Sequence, residues 1–158
     1  MVEIKFYEDI DDELLKFAVI VARYKGKWIF CKHKGKDTYE VAGGYREENE
    51  GIMDTAKREL LEETGASEFD LIPVCVYSMT GKNMLNDSGE EAFGMLCYAD
   101  VKSLESIPES EMEKVCMFDK LPSKLTYPNI QTLLIKKVEE ELLSKVDNNI
   151  ISVSENPL

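Results

Sequence analysis

The sequence predicts a mixed α/β domain, and three observations carry that prediction. Residues 17–24, FAVIVARY, form an apolar run rich in β-branched residues, and Lys25-Gly26-Lys27 turns it back into Trp28-Ile29-Phe30-Cys31. That is the pattern of a buried strand entering a β-hairpin. Residues 51–64 contain no proline, are rich in helix formers, and are followed by Gly65 where a left-handed helix terminator belongs. Beyond them, residues 71–78 and 92–99 read as strands, and Tyr127-Pro128 opens a helix with proline in the tolerated first turn.

A chain of 158 residues suits one domain. We expect it to span residues 1–144, with residues 145–158 a polar, frayed tail. Hydrophobic residues make up 44% and charged residues 32%, a globular balance, and the net charge is −12. Such a charge argues against nucleic acid or an anionic membrane bound through a basic surface. No apolar run approaches the roughly 18 residues of a membrane span, and the N-terminus is acidic where a signal peptide is basic, so a cytoplasmic protein is expected.

In chain order, residues 2–7 read as a short strand and residues 9–13 as an acidic turn. After the hairpin, residues 32–37, KHKGKD, form a basic loop that is either solvated or faces phosphate. His33 is the only histidine, which excludes a metal site built from several histidines, and its lysine neighbours mark a surface or substrate-edge position. Cys31, Cys75, Cys97 and Cys116 never form a C-x-x-C pair, so they read as reduced, mostly buried thiols. Residues 81–91 form a long polar loop suited to substrate selection. Residues 107–113 are an acidic segment before a short strand at 115–118. The last helix, to about residue 143, reads as a packing element.

Residues 43–66, GGYREENEGIMDTAKRELLEETGA, hold the chemistry. Gly43-Gly44 lets the backbone approach a ligand closely. The following helix, about 21 Å long, places Glu59, Glu62 and Glu63 within an arc of about 100°. Like charges about 6 Å apart repel by about 3 kcal/mol at an effective dielectric of 20, so the cluster calls for cations. All-oxygen ligands without thiolate or imidazole suit Mg²⁺ or Mn²⁺, and Mg²⁺ commonly brings phosphate oxygens with it. Arg58 can offset the repulsion by pairing with Glu62 at i+4 or with Glu50 across the loop. Met53, Ala56 and Leu60 form the stripe expected to face a core. Ile52 falls on the acidic side, and this reading does not account for it. An acidic helix face by itself is ordinary solvated surface. The spacing around it is not ordinary.

From Gly44 the chain runs through Glu50, Arg58, Glu59, Leu60, Glu62 and Glu63 to Gly65, and so resembles the Nudix box, G-x5-E-x7-R-E-U-x-E-E-x-G-U, where U is a bulky aliphatic residue. Ala66 is the one departure, smaller than the usual aliphatic residue there. The resemblance implies the Nudix α/β/α sandwich around a mixed sheet. It also implies hydrolysis of a nucleoside diphosphate linked to another group, with water attacking phosphorus. Carried over by position, the Gly43 carbonyl, Glu59 and Glu63, with Glu62 beside them, are the implied metal ligands; Glu59 and Glu62 are implied in catalysis, Glu59 as ligand or as base, and Arg58 and Glu50 form an orienting pair. Family members often add a glutamate from a later loop, and Glu111 is the position that matches, flanked by Glu109 and Glu113. The lead-in Tyr39-Glu40-Val41-Ala42 resembles that of the 8-oxo-dGTP diphosphatases, although those usually carry proline at the place of Ala42. A nucleoside triphosphate, ordinary or oxidised, is therefore the expected small-molecule substrate. The alternative is a Nudix-fold nucleotide-binding or regulatory module without catalysis.

Overall fold

A computed structural model of the protein describes residues 2–105 and 112–155. Its strands are β1 (Glu3–Tyr7), β2 (Leu15–Tyr24), β3 (Lys27–His33), β4 (Ala42–Tyr45), β5 (Ala66–Thr80), β6 (Ala92–Leu104) and β7 (Met112–Phe118). Its helices are α1 (Ile52–Thr64) and α2 (Pro128–Glu155), with a single 3-10 turn, Asp12–Leu14, in the acidic segment before β2.

The β2–β3 hairpin closes as its sequence requires. Lys25 (φ 51°) and Gly26 (φ 79°) both take positive φ, the two-residue turn whose twist matches that of paired strands. β5 and β6 are longer than their apolar patterns suggest. Ser67, Glu68 and Asp70 are exposed and disguise the start of β5, but its backbone pairs with β6 from Ala66↔Leu104 to Met79↔Ala92.

The sheet order is β1-β5-β6-β2-β3-β7. β2 is central. It runs parallel to β6 on one edge, while its other edge is shared. Ala22–Tyr24 pair with β3, and Phe17–Ile20 pair with β4, which fills the gap where β2 and β3 diverge. This insertion delivers Gly43 and Gly44 to the middle of the sheet.

Each face of the sheet is covered by one helix. On one face Ala18, Ile20, Ala42, Cys97 and Ala99 pack with Ile52, Ala56 and Leu60 of α1. On the other, Val21, Phe30, Tyr77 and Leu96 pack with Ile130, Leu134, Ile135 and Val138 of α2. The fold is therefore the α/β/α sandwich around a mixed sheet. Small residues dominate under α1, which lets that helix lie close to β4.

Ile52 is 6% exposed and belongs to the α1 core, together with the fully buried Thr55 and Ala56. Helical geometry places Ile52, Glu59 and Glu63 within an arc of about 40°. Glu59 and Glu63 thus lie on the sheet-facing side of α1, while Glu62 is exposed. The N-terminal half of that side meets apolar side chains, and its C-terminal half meets the glycines of β4.

α2 does not stop near residue 143 but continues to Glu155, so the tail expected to fray is helical. No glycine or proline interrupts residues 129–155. The four cysteines are free, with Cys31 and Cys97 buried and Cys75 and Cys116 half-buried.

Candidate active site

β4 and α1 build the site against each other. A side chain at Gly44 would place its Cβ 2.3 Å from the Glu59 carboxylate, and one at Gly43 would meet the Ala18 carbonyl oxygen at 2.8 Å. The glycine pair is therefore what allows the acidic end of α1 to lie on the strand. The Gly43 N–H donates to Glu63 Oε1 at 2.7 Å, tying strand and helix directly.

Arg58 organises the carboxylates. Its Nε and one terminal nitrogen hold Glu50 in a two-point clamp at 2.6 and 3.0 Å, and its other terminal nitrogen reaches Glu59 Oε1 at 2.7 Å. The same nitrogen lies 3.5 Å from Glu62 Oε2. Both pairings open to Arg58 in the sequence therefore form, and the one to Glu50 is much the tighter. Glu50 Oε1 also accepts from the Glu47 N–H and the Thr55 hydroxyl, each at 2.9 Å. Arg46 pins the same loop by donating to the Glu50 carbonyl and to Asp12. Glu50 is the knot that fixes loop 46–50 to α1.

Protonation follows from these partners. The Arg58 hydrogen bonds lower the Glu50 carboxyl to about 2, and the same contacts hold Arg58 in its charged form. Burial pushes Glu63 up to about 8, against the lowering effect of the Gly43 N–H, and nearby Glu59, Glu40 and Glu62 add to the rise. Burial also raises Glu59, offset in part by Arg58. Glu62 is exposed. α1 therefore presents two desolvated carboxyls, Glu59 paired with Arg58 and Glu63 held by a backbone N–H.

The side chains do not converge on one point. Among the described residues no three histidine, cysteine or acidic side chains gather as an ion-binding group. Glu59 is turned to Arg58 and Glu63 to the Gly43 amide, each held by an internal donor that a cation would replace. Glu111 and Glu109 lie outside the described residues, and Glu113 falls within β7.

On the α2 side of the glycine pair opens a cleft of about 110 Å³. Phe17, Tyr45, Tyr77 and Tyr127 supply aromatic surface, and Glu40 and Gln131 supply polar atoms. Tyr45 packs edge-on to Phe17 at 6.1 Å, and its hydroxyl donates to the Leu85 carbonyl at 2.6 Å. That bond brings the polar loop 81–91 to the mouth of the cleft. Segment 38–40 joins the two sides: the Glu40 N–H donates to Cys31, and the Tyr39 N–H donates to the Lys124 carbonyl just before α2. His33 Nε2 lies 2.6 Å from Glu40 Oε1, which places the lone histidine against the cleft wall. No motif marks Tyr45 or Gln131, and Glu40 stands out only within the lead-in 39–42; the three line one cleft through pairings distant in sequence.

The model of the NUDIX domain family matches residues 13–141. The Bacillus subtilis (strain 168) protein named "Putative 8-oxo-dGTP diphosphatase YtkD" is 28% identical over 126 residues, covering 79% of this chain and 75% of its own. The crystal structure of the Bacillus subtilis pyrophosphohydrolase BsRppH superposes with a TM-score of 0.71 at 24% identity, over 88% of this chain and 90% of that one. The NUDIX domain of Shewanella oneidensis NrtR, solved with ADP ribose, superposes with a TM-score of 0.61 at 17% identity, over 81% and 88%. A box complete at its polar positions, a sandwich that seats it against a glycine strand, and a family match spanning most of the chain agree: this protein belongs to the Nudix family.

Proposed function

We propose that this Nudix hydrolase cleaves a diphosphate linkage in a nucleoside diphosphate derivative, a nucleoside triphosphate, ordinary or oxidised, being the first choice. The observation that carries this reading is the seating of the desolvated Glu59 and Glu63 carboxyls against the Gly43–Gly44 backbone. An all-oxygen set of the Gly43 carbonyl, Glu59, Glu62 and Glu63 would suit Mg²⁺ or Mn²⁺, with Glu111 as the added ligand. The ion supplies charge neutralisation for the diphosphate and a more acidic water. The chain itself supplies the rest. Arg58, clamped by Glu50, fixes the rotation of α1 and the position of Glu59, which serves as ligand or takes the proton of the attacking water. The aromatic cleft holds the remainder of the nucleotide. The similarity to YtkD supports a triphosphate substrate. The Nudix-fold module without catalysis would be expected to have lost acidic box positions, and here all are retained.

A panel of nucleoside triphosphates, nucleotide sugars and dinucleotides with Mg²⁺, scored for phosphate against pyrophosphate release, tests the reading. Turnover of at least one triphosphate is expected, and turnover of none would favour the binding module. Glu63→Gln should lower kcat/KM by about 10²-fold or more while the protein stays folded, since it removes one ligand charge. Wild-type turnover in that variant at saturating Mg²⁺ would remove Glu63 from the metal set.

A further inference from the structure

We propose that Arg46 is a positioning residue for the box, acting on Glu59 through Glu50 and Arg58. This rests on the hydrolase reading above and deepens it. The Arg46 side chain is 20% exposed, and all three of its nitrogens find acceptors. Nε donates to the Glu50 carbonyl at 2.8 Å, one terminal nitrogen to the Asp12 and Leu15 carbonyls at 2.9 and 3.2 Å, and the other to Asp12 Oδ2 at 2.8 Å. The Arg46 backbone N–H donates to the Lys16 carbonyl at 2.8 Å. Most of these bonds end on carbonyls, so Arg46 fixes the path of the main chain on two sides, in segment 12–16 and in the loop that enters α1.

That loop has little else to hold it. Residues 46–50 include no apolar side chain, and Glu47, Glu48 and Asn49 are exposed, so packing cannot set its shape. Yet the loop ends on Glu50, whose carboxylate clamps Arg58 at 2.6 and 3.0 Å, and Arg58 in turn holds Glu59 Oε1 at 2.7 Å. Asp12, Arg46, Glu50, Arg58 and Glu59 thus form one continuous line of charge-assisted hydrogen bonds from the turn before β2 to the carboxyl on the glycine strand. Arg46 is the member that joins its two halves.

The chemistry of the side chain explains why arginine stands there. A guanidinium offers its donors in a flat, rigid fork and serves several directions at once, whereas lysine brings the same charge as one nitrogen on a flexible stem. The ion pair with Asp12 is the minor part, since that side chain is 67% exposed. The bond to the Glu50 carbonyl is the major one. Without it Glu50 can shift and Arg58 can turn, and a misplacement of about 1 Å at a reacting group can cost about 10²-fold in rate.

The test is a double-mutant cycle between Arg46 and Arg58 on the triphosphate turned over fastest, with exchange of the Arg58 Nε–H followed by NMR in the free protein. Arg46→Ala should lower kcat about 10-fold, leave KM within about twofold, and speed that exchange by about 10-fold or more. Arg46→Lys should stay within about threefold of the alanine variant, and it serves in both measurements if Arg46→Ala does not fold. In an Arg58→Ala background, removing Arg46 should cost less than about twofold more, because the two act in series. Losses that multiply across the cycle, a change in KM alone, or wild-type kcat in Arg46→Lys overturn the assignment and leave the hydrolase standing. Faster Arg58 exchange without turnover of any triphosphate keeps the link from Arg46 to Arg58 and removes the hydrolase reading. Unchanged Arg58 exchange in the Arg46 variants overturns the link, whatever the turnover.

Discussion

At the scale of single residues, two glycines do opposite kinds of work and should fail differently. The group in the way of a Cβ at Gly44 is the flexible end of Glu59, 2.3 Å off, so Gly44→Ala displaces a carboxylate and leaves the backbone alone. Its stability should stay within about 1 kcal/mol of wild type, while misplacement of Glu59 costs about 10²-fold in kcat/KM. Gly65 has φ 79°, and a Cβ there would lie 2.2 Å from the Glu105 carbonyl, which is backbone. Gly65→Ala should therefore cost about 2 kcal/mol or more in urea unfolding, through a strained αL residue and a displaced β6 end. Both glycines are visible in the sequence as fixed positions of the box. The difference in what they are for is not, because the neighbours of Gly44 and Gly65 are set by packing. Ile52 shows the same limit, since its place on the acidic side of the helix makes sense only once that side faces the sheet.

At the scale of the element, α1 and the loop that enters it carry two carboxyls shifted in opposite directions, and the metal-free protein should show both in its pH profile. Glu50, lowered from 4.5 to about 2, contributes stability that is fully present above about 4.5 and is lost as the pH falls through 2. Glu63, raised from 4.5 to about 8, is bound to its proton more firmly in the folded state than in the unfolded chain. Stability should accordingly decline as the pH rises from about 4.5 to about 8 and level off beyond. Chemical unfolding in the presence of a chelator should give this sloping limb in wild type and a flatter one in Glu63→Gln. Binding of Mg²⁺ near pH 7 should release a proton, seen as an enthalpy that varies with buffer ionisation heat, and should raise the melting temperature. A pH-independent limb together with buffer-independent heats would mean that Glu63 is ionised and solvated in the free protein. The helix, its boundaries and its Arg58–Glu50 link are legible in the sequence because all are local. The burial of its acidic face is not, because it depends on β4 arriving from elsewhere.

Across the whole molecule, what the sequence conceals is a matter of long-range pairing. The hairpin and the box are written in contiguous residues, whereas the insertion of β4 beside β2 and the placing of Glu40 and Gln131 along one cleft depend on sheet order. Polar residues at the start of β5 and an asparagine-containing tail look like loop because side chains, not backbone partners, dominate composition. The tail gives the last prediction. Among the described side chains of α2, Ile130, Leu134, Ile135 and Val138 pack on the sheet, with Leu142 half-buried against the same cluster. All precede the proposed domain boundary at residue 144, which falls inside α2. The backbone of α2 continues as helix to Glu155, and propensity alone is marginal over about a dozen residues in water. A protein truncated after Ser144 should therefore keep its melting temperature within about 2 °C and its turnover within about twofold, as followed by calorimetry and phosphate release. A fall of about 8 °C or more would show that residues 145–158 stabilise the domain, and would move its boundary to the end of α2.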